Sequence, residues 1–230
     1  MSTIRSLPAL SDRHHAVPRK TSDGATAFSA KSRSRPVWTL MVMGIAVALA
    51  FAPGWNSELI YDRSAILSGQ FWRLWTGPWI HFSPRHLICD LIPLGVAGWI
   101  VETRGWPLFP WFCVLAPCVI SVATLVFEPD LQWCCGLSGT ACAIVAVMAL
   151  DGLSDESSWR FFCAAALVGL AAEILFRKMA GHRLFAVVEG VPVLVSSTSH
   201  IAGAVTGLTV GIWRNFCDVV HPEGVEPSTF

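Results

Sequence analysis

Two short runs hold the residues best suited to covalent chemistry: Gly136-Leu137-Ser138-Gly139 and Ser199-His200-Ile201-Ala202-Gly203. A serine hydroxyl is a weak nucleophile and needs a base within hydrogen-bond reach. His200 is the candidate base, and a Ser-His pair points to hydrolysis through an acyl-enzyme. A third run, from His81 to Asp90, adds His86, and the pair Trp72-Arg73 precedes it. His86 and Asp90 stand four residues apart and share a helix face, so they could act together or, with His81, hold a metal. No fourth ligand is close, and open zinc sites usually follow more definite spacings, so no metal is assigned. Read alone, Ser138 could equally be a helix-capping serine, and Trp72-Arg73 reads best as an interfacial anchor.

The elements that must position these groups are membrane helices. The 230 residues are 53% hydrophobic and only 14% charged, with mean hydropathy +0.55, too apolar for an ordinary water-soluble domain. Lipid accepts helices that are apolar all round, provided the backbone is paired internally. Stretches near 37–53, 79–101, 107–127, 137–151, 158–176 and 199–217 approach the ~20 apolar residues a span needs, which predicts an all-α membrane protein of six helices. Residues 54–78 read as an amphipathic, aromatic-rich connection suited to the interface. Residues 177–198 read as a loop with a partly embedded segment.

Residues 1–36 read as a disordered cytoplasmic tail, 37–217 as the membrane domain and 218–230 as a short C-terminal tail. Before position 36 stand Arg5, Arg13, Arg19, Lys20, Lys31, Arg33 and Arg35 against Asp12 and Asp23, which places the N-terminus on the cytoplasmic side. Arg104 and Arg160 then lie inside, whereas Arg177, Lys178 and Arg183 fall outside, the one violation of the charge rule. A signal peptide is the competing reading of the first apolar stretch, but no small-residue cleavage site follows. Zero net charge gives no reason to expect nucleic acid. Most of the eight cysteines lie in or beside apolar runs as small hydrophobes, and only Cys134-Cys135 stands in a loop.

Six spans also bring the second, fourth and sixth helices inward from the outer face, so Ser138, His200 and the His86–Asp90 run meet at one membrane depth. The fourth helix, roughly 22 Å long over 15 residues, is shorter than a ~30 Å hydrocarbon core. Ser138 is thereby set below the surface at a helix N-terminus, where unpaired N–H groups favour an oxyanion. Gly203, Gly207 and Gly211 repeat every fourth position after His200 and would let two helices approach closely.

Taken together and in this order, the Trp-Arg pair, the His-x4-His-x3-acid series, G-x-S-G and His-x2-Gly-x3-Gly resemble the rhomboid family of intramembrane serine proteases over about residues 37–217. The resemblance implies a six-helix bundle in which Ser138 is the nucleophile and His200 the base. Gly136 and Gly139 match the motif around the serine, and His86 the donor to the oxyanion. No cofactor and no third catalytic residue are implied. The partners would be a transmembrane protein substrate and membrane lipid. Asp90 departs from the pattern: many rhomboids carry an asparagine there, whose amide donates, whereas an ionised aspartate only accepts. A protonated Asp90 or one that orients His86 would both alter the oxyanion hole. The run Phe71-Trp72-Arg73-Leu74-Trp75-Thr76-Gly77 and the compact chain resemble the rhombosortase branch, which implies cleavage of C-terminal Gly-Gly sorting signals in a bacterial inner membrane. Thr140-Ala141-Cys142 stands where that branch would have a His-Gly pair. A catalytically dead relative that retains client helices is the alternative, and a transporter is disfavoured because the polar groups cluster at one face.

Overall fold

The computed structural model describes residues 35–52, 56–180, 185–188, 191–194 and 196–220, all within one unit that begins at Lys31. The expected tails fall largely outside these residues. Nine α-helices, a 3-10 turn and four short strands follow in order among them. The six long helices are α1 (Val37–Ala50), α5 (Pro84–Thr103), α6 (Phe109–Phe127), α7 (Ser138–Leu153), α8 (Trp159–Ala180) and α9 (Ser197–Val220). Three of them, α5, α6 and α8, are long and apolar enough to cross a membrane, while α1 and α7 are shorter apolar helices.

Helix α7 is the hub, packed against α5, α6, α8 and α9. Its composition explains the position: Ala141, Ala143, Ala146, Ala149 and Gly152 present little side-chain bulk, and 11 of the 16 α7 residues are buried. The outer helices instead turn Ile88, Ile92, Val96 and Trp99 of α5, and Val119, Val122 and Val126 of α6, away from the core. In lipid that arrangement needs no polar cover.

Helix α1 lacks a side-chain cap of its own. Glu102, buried near the end of α5, supplies one by accepting from the N–H groups of Trp38 and Thr39 and from Thr39 Oγ1, each at 2.8 Å. Orphan helix donors removed from water are expensive. Glu102→Ala is therefore expected to destabilise the fold by about 3 kcal/mol, read as a lower midpoint in thermal unfolding monitored by circular dichroism.

The 54–78 connection is more built than its sequence suggests. It contains α2 (Asn56–Leu59), β1 (Tyr61–Asp62), α3 (Arg63–Leu67) and α4 (Arg73–Thr76), and the 3-10 turn Gly77–Trp79 leads on to α5. Trp72 is exposed as an interfacial anchor would be, but Arg73 corrects that reading: it is only 5% exposed. Its guanidinium donates to the carbonyls of Ser57 and Ile60 and to Gln70 Oε1. Arg73 thus clasps the connection to itself. Strand β1 pairs antiparallel with β2 (Trp133–Cys134), Tyr61 opposite Cys134, which ties the connection to the segment leading into Ser138. The 177–198 link also differs from its sequence reading: α8 continues to Ala180, and β3 (Phe185–Val188) and β4 (Val191–Leu194) form an antiparallel pair.

At the end of the bundle remote from Ser138, Asp151 receives Arg104 at 2.7 Å and Arg214 at 3.1 Å. The Arg104 and Arg214 guanidinium groups also face the Trp159 and Trp106 rings. Arg104 also lies 3.8 Å from Asp155, so two cations face two carboxylates where α5, α7 and α9 end.

Candidate active site

Helix α7 begins at Ser138, so its first N–H groups project free of the helix at the residue that carries the hydroxyl. Helix α9 begins at Ser197. Ser196 stands ahead of it, accepting from the Ser199 N–H at 3.0 Å and donating to Glu128 after α6 at 2.5 Å. That anchor sets where His200 enters.

Contact between the two helices is close enough to let the side chains meet. A Cβ on Gly203 would lie 2.0 Å from the Gly139 carbonyl oxygen, and one on Gly207 2.1 Å from that of Ala143. Small residues at this spacing allow backbone-to-backbone packing. The result is that Ser138 Oγ lies 2.9 Å from His200 Nε2, with the His200 side chain 4% exposed.

The other predicted residues gather at the same end. Gly136 has φ +102°, and a Cβ there would fall 2.6 Å from the His86 ring and 2.9 Å from Asp90 Oδ2. The position is closed to other residues both by backbone sterics and by space. Asp90 Oδ2 lies 3.2 Å from His81 Nε2 and 3.4 Å from His86 Nε2. His81 Nδ1 is 3.1 Å from the Trp79 carbonyl, which can only accept. With that proton assigned to Nδ1 by its partner, His81 Nε2 is a lone pair unless doubly protonated. A hydrogen bond from it to Asp90 would need a proton on one of the two. The Leu137 N–H, at 3.5 Å, approaches the same nitrogen. Asp90 thus lies between His81 and His86.

A cleft of about 330 Å³, counting its open mouth, runs beside Gly136 and Gly139 and is lined also by Ser199, Ile120, Cys134 and Cys135. Removal from water pushes the Cys134 thiol up to about 12 and the Cys135 thiol well above its ordinary value. Both cysteines stay protonated at neutral pH and line the cleft as small, weakly polar groups rather than as nucleophiles.

Sequence reasoning missed one residue. Glu173, on α8, brings its carboxylate oxygens to 3.0 and 3.1 Å from His200 Nδ1. The signal was present: it is the one acid in the 159–176 stretch, and an ionisable residue inside a span is a functional candidate by default. It stands late in its helix, whereas the other polar groups open theirs. Arg177 pairs with the same carboxylate. Among the described residues Cys142, Glu173 and His200 bring one ligand atom each within 4.8 Å of one another. The Arg177 guanidinium pairs with that carboxylate as well.

The model of the rhomboid domain matches residues 68–214, well over half of the chain. The chain belongs to the rhomboid family. No curated protein matches it significantly. Apolar helices and this domain make the rhomboid an integral membrane protein. The match begins ahead of the clasp at Arg73 and ends at Arg214, so every group of the candidate site lies inside it.

Proposed function

We propose that this rhomboid is an intramembrane serine endopeptidase in which Ser138 attacks the scissile carbonyl and His200 takes its proton. The observation that carries the reading is the 2.9 Å contact between Ser138 Oγ and His200 Nε2 at the head of two tightly packed helices. His200 then returns the proton to the leaving amine and activates the water that resolves the acyl-enzyme. The Ser138 N–H, free at the helix start, and His86 would hold the oxyanion. At 3.4 Å the His86 contact with Asp90 is loose enough to be exchanged for that charge. The substrate is a transmembrane protein whose helix unwinds near the outer face, with the N-terminus of the protease cytoplasmic. The rhombosortase resemblance narrows it to a C-terminal Gly-Gly signal followed by a span and a basic tail, and the membrane to a bacterial inner membrane.

The test is cleavage, in liposomes, of a reporter carrying that tripartite signal. Cleavage by wild type that is lost in Ser138→Ala and His200→Ala supports the protease and the sorting substrate together. Cleavage only of other rhomboid substrates removes the branch assignment. Client binding without any cleavage in a folded preparation replaces the protease with a retention protein.

Asp90 motivates that second reading, and its hydrogen bonds supply the discriminating variant. An asparagine amide can donate to the lone pair of His81 Nε2, which an ionised carboxylate cannot. Asp90→Asn is therefore expected to keep kcat/KM within about threefold of wild type, while Asp90→Ala, which frees both imidazoles, loses about 10²-fold. Equal losses in the two variants would sink this account of Asp90.

A further inference from the structure

We propose that Glu173 is the positioning acid of the site, making Ser138, His200 and Glu173 a triad spread over three helices; this rests on the protease reading above. The requirement is tautomeric. For Nε2 to accept the serine proton it must present a lone pair, so the hydrogen of the neutral ring has to be on Nδ1. A carboxylate can only accept, and Glu173 places one within 3.1 Å of Nδ1. It selects the productive tautomer, fixes the ring plane and faces the imidazolium that forms when Ser138 is deprotonated.

Neighbouring groups support the assignment. Cys142 Sγ, the other group near Nδ1, is 3.7 Å away and is at best a weak partner. An acid inside an apolar span is costly and persists where it is paired. Glu173 is paired twice, with His200 and with Arg177 one turn further along α8. Arg177 pairs with Oε1, the oxygen that also lies 3.0 Å from His200 Nδ1, and so compensates the carboxylate charge beside the ring. No proton leaves Glu173 in the cycle: the serine proton moves to Nε2 and on to the leaving amine.

Neutralising a buried orienting carboxylate lowers kcat by about 10⁴ in soluble triad proteases. The Glu173 side chain is 35% exposed and shared with Arg177, so a smaller loss is expected here. In the full chain, Glu173→Gln and Glu173→Ala are expected to lower kcat about 10²-fold with KM within twofold, because Glu173 touches no substrate. Glu173→Asp should recover at least tenfold over Glu173→Ala. The accompanying readout is the imidazole NMR spectrum of ¹⁵N-histidine protein, where wild type shows a strongly hydrogen-bonded Nδ1–H that Glu173→Ala loses. Unchanged kcat in both neutral variants overturns the proposal, as does a wild-type His200 protonated on Nε2. If wild type cleaves nothing, the protease reading fails instead, and the ring spectrum, which needs no substrate, still decides whether Glu173 sets the tautomer.

Discussion

Ser138→Ala is expected to reduce cleavage by about 10⁶-fold while leaving the unfolding midpoint within a degree or two of wild type. Ser138 is half-buried, and its hydroxyl bonds to His200, so removing it takes away the proposed nucleophile and little packing. His200→Ala is expected to lose a similar amount. The double variant should lose no more than either single one, since residues that act as a unit are grossly non-additive. Initial rates of reporter cleavage across the four proteins, corrected for folded fraction, check this. If the two losses multiplied, Ser138 and His200 would act independently and the pair would be wrong.

Gly203→Ala is expected to lose both stability and activity, which separates it from the first experiment. Its Cβ would sit 2.0 Å from the Gly139 carbonyl oxygen and 2.8 Å from the carbonyl carbon. These are backbone atoms of a buried helix and cannot rotate aside. Relief requires α7 and α9 to separate at the turn that carries Ser138 and His200. Overpacking costs about 1–3 kcal/mol where side chains can adjust, and this contact belongs at or above the upper end. A displacement of 1 Å at reacting groups costs roughly 10²-fold in rate. Thermal unfolding and cleavage should therefore fall together, whereas Gly169→Ala, at an α8 position with no atoms nearby, should leave cleavage unchanged and the unfolding midpoint equal or slightly higher, because alanine is the better helix former. Wild-type cleavage by Gly203→Ala would show that the helices tolerate separation and that their contact does not set the Ser138–His200 distance.

Much of this architecture was legible because apolar runs and small-residue spacing are local properties. The six long helices lie where the apolar stretches lie, and the Gly203–Gly207 stripe meets α7 as its period requires. Boundaries shifted where apolarity and helicity part. Residues 79–83 are apolar or aromatic at several positions, yet Ser83 caps α5 and Pro84 opens it, so the helix starts five residues later than the apolar run. What stayed hidden were interactions fixed by tertiary approach. His81 reads as a spare metal ligand until the Trp79 carbonyl and Asp90 are seen on its two nitrogens. Arg73 reads as a membrane anchor until the carbonyls of Ser57 and Ile60 close on it. Glu173 lies 27 positions before His200, and no spacing rule links two helices joined through the 177–198 segment.

The meshing of α7 with α9 also dictates traffic. Where Gly203 touches Gly139 and Gly207 touches Ala143, the two helices form a wall one backbone thick, with no room for a peptide to slip between them from the bilayer. The cleft beside Gly136 and Gly139 lies at the same end of the helix pair, next to the residues that flank Ser138. The same stripe that brings His200 to Ser138 thus acts as a shut seam, closed to lateral approach at these two turns.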